Sequence, residues 1–124
     1  MMLKTLGLVA GLVLASAAPA WAESACSEPI APAAVDGSTA TTAQMNAAHD
    51  DVMTFLKQSD DYQVCLLKEL NDAKADAVKN KKDLDPSIQA ATDAKVQANQ
   101  ALKEKVGAEF NAAVVAYKAK HPNG

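Results

Sequence analysis

Apolar residues fall in two long helical stripes, separated by a short polar connection and preceded by a stretch with no helical period. From Thr41 onward, Met45, Ala48, Val52, Leu56, Ser59, Gln63, Leu66, Leu70 and Ala77 recur at the spacing of one amphipathic helical face. Thr41 or Thr42 offers an N-cap hydroxyl. The pattern predicts a helix over 41–80, roughly 60 Å long at about 1.5 Å per residue. Ser59-Asp60-Asp61 reads as an internal N-cap and marks the place where this helix is expected to kink or break. Lys79 to Lys82 bring positive charge to its C-terminus, where the macrodipole favours it.

Asp85-Pro86 pairs an N-cap with a proline at the first helical position, a strong start signal. The second helix is predicted over 86–120, ended by Pro122 and Gly124. Its stripe holds Ile88, Leu102, Val106, Phe110, Ala113 and Tyr117, with polar Thr92, Lys95 and Asn99 intruding in the first half. So short a connection suits two antiparallel neighbours. If the chain reverses near Asp83, facing residues have numbers summing to about 166, as in 70 + 96 or 56 + 110. Val78 then meets Ile88, Leu70 meets Val96, Leu56 meets Phe110 and Val52 meets Val114, apolar against apolar.

Residues 23–40 behave differently. Pro29, Pro32 and the Asp36-Gly37 turn signal forbid a continuous helix and favour an extended, polyproline-like arm. The arm carries Cys26, and the first predicted helix carries Cys65 on the side away from the Val52/Leu56/Leu70 stripe, among Asp61, Lys68 and Asp72. Fifteen residues of arm reach up to about 50 Å when extended, against about 36 Å of helix from Thr41 to Cys65. The arm can thus fold back at Asp36-Gly37 and bring Cys26 to Cys65. The expected architecture is all-α: an antiparallel two-helix hairpin with an extended N-terminal arm disulfide-linked to the first helix. An intermolecular bridge and a redox-active pair are the rival readings of the cysteines. The second lacks a Cys-x-x-Cys spacing and a basic cluster beside Cys65.

The leading residues set the expected address. Lys4, the apolar run Leu6 to Leu14, and Ala20 and Ala22 at positions −3 and −1 form a secretory signal, with cleavage expected after Ala22. The apolar run is shorter than the ~20 residues a membrane span needs. Glu23 stands three residues before Cys26, which argues against lipidation of that cysteine. The remaining 124 − 22 = 102 residues make one small domain in a compartment that oxidises thiols, the periplasm or the exterior. This divides the chain into a signal peptide (1–22), an arm (23–40) and a hairpin domain (41–124).

Cys26-x-x-Pro29-x-x-Pro32, Asp36-Gly37, Met45, Val52, Phe55 and Tyr62-x-x-Cys65-Leu66 resemble a family of small, exported, uncharacterised proteobacterial helical proteins. The resemblance covers about the first half of the exported part. It implies an exported helical protein with its two cysteines paired, and it brings no substrate or cofactor with it.

Charge and motifs narrow the function classes. The net charge is −3 and arginine is absent, which disfavours nucleic acid. No phosphate loop, nucleophile elbow, calcium loop or haem-attachment motif occurs, so neither an enzyme nor a cofactor is expected. Asp50-Asp51 and Asp60-Asp61 are adjacent pairs that diverge on a helix. The weaker alternative is a periplasmic copper site from Met45, His49 and Met53 at four-residue spacing, with His121 opposite Met45 in the expected register and His49 facing Tyr117. The leading expectation is a non-enzymatic structural or interaction protein with no membrane span after signal removal. Its partner would be a second copy or another envelope protein, met through apolar flanks such as Leu67, Val78 and Val115, with a small helical chaperone as one version.

Overall fold

The computed structural model describes residues 24–123, so the expected signal and its cleavage residues Ala20 and Ala22 lie outside the described part. Two helices, α1 (Thr42–Lys79) and α2 (Pro86–Lys120), pack against each other, and no strand occurs among the described residues. Local chemistry fixes their ends. Thr41 and Gln44 form a reciprocal capping box: the Thr41 hydroxyl accepts from the Gln44 N–H at 3.1 Å, and the Gln44 side chain accepts from the Thr41 N–H at 2.8 Å. At α2 the Asp85 carboxylate accepts from the Ser87 N–H at 2.9 Å, with Pro86 in the first turn.

α1 does not break at Ser59. That side chain is fully buried, and its hydroxyl accepts from the Asn99 amide at 3.2 Å, while the Asn99 carbonyl accepts from Gln63 at 2.8 Å. Asn99 of the α2 stripe faces inward for this reason and Thr92 is buried with it, whereas Lys95 is exposed. Thr92, Asn99, Val106 and Ala113, each seven residues apart, are the buried positions of α2.

The register differs from the expected one. Ser59 meets Asn99, His49 meets Phe110 with ring centroids 5.8 Å apart, and Thr42 bonds Tyr117; the sums are 59 + 99 = 158, 49 + 110 = 159 and 42 + 117 = 159. Phe110 therefore sits about two turns from Leu56, and Val78 is exposed instead of meeting Ile88. Two causes act together. α1 ends in a tight Schellman turn, in which the Lys82 N–H donates to Ala77 and the Lys81 N–H to Val78, with Lys81 left-handed at φ 53°, so reversal begins before Asp83. A slip of about seven residues also keeps every side chain on its face, so apolar matching cannot choose between the two registers. At the expected register Asn99 would face Leu67 (67 + 99 = 166) and lose the partners it has here.

The arm is a third layer. It leaves Cys26 beside the middle of α1 and turns at Asp36, whose carbonyl accepts from the N–H groups of Thr39 (3.2 Å) and Ala40 (2.9 Å). Gly37 is pressed against α2 so closely that a Cβ there would stand 1.8 Å from the Ala113 carbonyl oxygen. Ala40, Met45 and Ala113 form a small core, joined by Val35, Phe110, Val114 and Tyr117.

Candidate functional site

The expected disulfide is present: Cys26 and Cys65 are bonded, with Cα atoms 5.7 Å apart, and no free cysteine remains. Cys65 does not stand on a wholly polar outer face. It is half-buried between Tyr62 and Glu69, on a flank of α1 that the arm covers. Its expected neighbours pair elsewhere, Lys68 with Asp72 at 2.7 Å and Asp61 with Lys57 at 3.1 Å. The Asp72 carboxylate, accepting from the Lys68 ammonium, raises the pKa of that lysine.

Glu69 lies one turn beyond Cys65 and holds the start of the arm. Its two carboxylate oxygens accept from the Ser24 hydroxyl and the Ala25 N–H, both at 2.8 Å, and the Cys26 N–H donates to the Ser24 hydroxyl at 3.1 Å. One turn before Cys65, Tyr62 is buried against the Ser27–Ile30 stretch of the arm. Burial, then the negative charges of Glu28 and Glu69, pushes its phenol pKa up. At the other end of the arm, the Ser38 hydroxyl and N–H donate to Asp36 and hold that carboxyl below its ordinary range. The result is a strap fastened at Cys26 and Glu69 and seated at Gly37.

Under the strap, between Pro32–Val35 and the two helices, lies a cavity of about 320 Å³ walled by Val52, Val106 and Phe110, with Asp51 and Glu109 at its edge. Tyr62 and Phe55 were not part of the stripe read from the sequence, yet they are among the most buried side chains of α1. Their signal was available: Tyr62 precedes Cys65 by three residues, on the flank the tied arm must cross.

The histidines and methionines are not gathered into one site. Met45 is buried in the small core, whereas His49 and Met53 are exposed. His49 leans on Phe110 with Nδ1 3.4 Å from Asp50, and does not face Tyr117. His121 stacks on Tyr117 at 4.2 Å, with Nδ1 against the Tyr117 carbonyl oxygen. Phe110 and Tyr117 are two turns, roughly 10 Å, apart along α2. Among the described residues one trio of ligand-type side chains converges, Cys26, Cys65 and Glu69. Its sulfurs are spent on each other and its carboxylate on the arm.

Comparison with known proteins places nothing beside this chain: no family model, no curated protein and no solved structure matches it. The site defines no more than a class, a disulfide-strapped helical hairpin. A disulfide between two half-buried cysteines points to an oxidising, non-cytoplasmic environment. No helix among the described residues is long and apolar enough to cross a membrane.

Proposed function

We propose that the chain is an exported, non-enzymatic protein of the cell envelope whose work is structural or interaction-based. The observation carrying this reading is how Glu69 is used. Glu69, the carboxylate that converges with the two sulfurs among the described residues, has both oxygens bonded to the arm, so a group placed for proton transfer there instead fixes a backbone segment. Near the strap, Gln44 caps α1, Asp61 pairs with Lys57 and Glu109 with Lys105. A rod of two long helices that still exposes large apolar side chains suits contact with another protein.

Cell fractionation with intact-mass measurement tests the address and the bridge together. The expected species starts at Glu23 and carries no alkylatable thiol. Protein recovered from the cytoplasm, uncleaved and with two free thiols, overturns the reading. The copper alternative is separated by calorimetric titration with Cu(I): submicromolar binding lost in His49→Ala would replace the interaction reading with a metal-carrying one.

A further inference from the structure

α1 has three apolar flanks. One meets α2, one meets the arm, and the third is uncovered. On this third flank stand Met53, Val64, Leu67 and Val78, exposed by 53%, 67%, 46% and 77%. At about 100° per residue these four lie within roughly 60° of one another, about 130° from Cys65. Asp60 and Asn71 are the polar members of the same row. Large apolar groups exposed along one helix face, with Val64 and Leu67 adjacent at its middle, are what a contact surface requires.

The row is its own complement. The numbers pair as 53 + 78 = 131, 64 + 67 = 131 and 60 + 71 = 131. Two copies of α1 laid antiparallel, with a two-fold axis between positions 65 and 66, put Met53 on Val78 and Val64 on Leu67. They also put the Asp60 carboxylate opposite the Asn71 amide, an acceptor against a donor. Every pair occurs twice, as an isologous contact requires. Asp60 has an oxygen to spare for this, since its bond to Lys103 at 2.5 Å uses only Oδ1. Lys57 and Lys74 also sum to 131, but they stand on opposite edges of the row and fall on opposite sides of the contact.

We propose that this face is a homodimer interface in which two α1 helices pair antiparallel about that axis, leaving both disulfide straps outward. The inference rests on the interaction reading above and names the partner as a second copy. The row is about 38 Å long and a helix face about 10 Å wide, so each chain covers on the order of 400 Å². That is about half the ~800 Å² per partner of a standard stable interface. The dimer is accordingly weak and concentration-dependent.

Sedimentation velocity from about 5 μM to about 1 mM reads the association directly. The expected result is a monomer–dimer equilibrium in that range, weakened about tenfold or more by Leu67→Glu, which buries a charge against Val64 of the second copy. Circular dichroism and intact mass confirm that the variant keeps its helices and its bridge. A benzoylphenylalanine crosslinker at position 53 gives the geometry, with isotope-mixed protein separating adducts between chains from those within one. The expected adduct joins position 53 to the peptide holding Val78 of the other copy. A monomer at every concentration, a dimer indifferent to Leu67→Glu, or adducts joining 53 to 53 would each overturn the proposal. A monomer would leave the envelope-interaction reading standing on its own fractionation test.

Discussion

Removing the strap's covalent end is the most direct test of how this small protein holds together. The variant is Cys26→Ser combined with Cys65→Ser, so that no odd thiol is left to pair between chains. The bridge spans 39 residues, and forbidding the unfolded chain to open a loop of that size is worth about 4 kcal/mol at 25 °C. That figure is a ceiling. Without the bridge, the arm can fray from the hairpin, and the fraying relieves part of the loss. The bonds from Ser24 and Ala25 to Glu69 and the seat of Gly37 on α2 act against it. Domains of this size have about 5–15 kcal/mol in total. The double variant should therefore stay folded near 25 °C but melt about 15–30 °C lower, at roughly 4–8 °C per kcal/mol. Urea unfolding followed by far-ultraviolet circular dichroism gives both the midpoint and the slope. A reduced slope means the arm has come away and less surface is buried, whereas a slope unchanged or steeper, as the uncrosslinked unfolded chain exposes more surface, means the arm still covers Tyr62. A loss under about 1 kcal/mol with an unchanged slope would refute the argument that restricting the arm is what the disulfide contributes.

Four further outcomes follow from single contacts. Gly37→Ala drives a Cβ into the Ala113 carbonyl and should cost about 2–3 kcal/mol by lifting the turn off the small core, read as a lower urea midpoint. Lys81→Gly relieves a left-handed residue at the end of α1 and should raise stability by about 1 kcal/mol in the same assay. Asn99→Leu strands the buried Ser59 hydroxyl, leaves Gln63 with only its bond to Gln100, and should cost about 1–3 kcal/mol; nuclear Overhauser contacts of Phe110 shifting from His49 toward Leu56 would show the hairpin slipping by a heptad. Tyr62 is held protonated by burial and by Glu28 and Glu69, so its folded pKa exceeds the ordinary 10.0. Its contribution is therefore complete below pH 10.0 and is lost as pH rises from there through the folded pKa; the alkaline fall in melting temperature should be shallower in Tyr62→Phe.

What could be read from the sequence was what local chemistry decides. The Thr41 cap, the Asp85-Pro86 start and the pairing of Cys26 with Cys65 each depend on residues close in sequence, or on a simple question of reach. The register depended on something else. A heptad slip leaves the apolar stripes matched, so the choice fell to Ser59, Gln63 and Asn99, whose polarity made them look like defects in the stripe or a break in the helix. Buried polar side chains of this kind specify a register because only one alignment satisfies them.

The flank under the arm was hidden for a related reason. An amphipathic stripe is a pattern with one centre, and α1 answers to two neighbours at once. Tyr62 lies off the α2-facing stripe because it serves the arm, an element with no helical period to announce which residues it covers. Cys65 was the available pointer, since a tether fixed there must cross Tyr62 on its way to the Gly37 turn. Once two flanks of α1 are assigned in this way, Met53, Val64, Leu67 and Val78 cannot be counted as loose ends of either one. They form a third row with its own centre of symmetry, set apart from the flank that meets α2 through a polar lock and the flank held by a covalent strap, and it is on this row that the proposed homodimer rests.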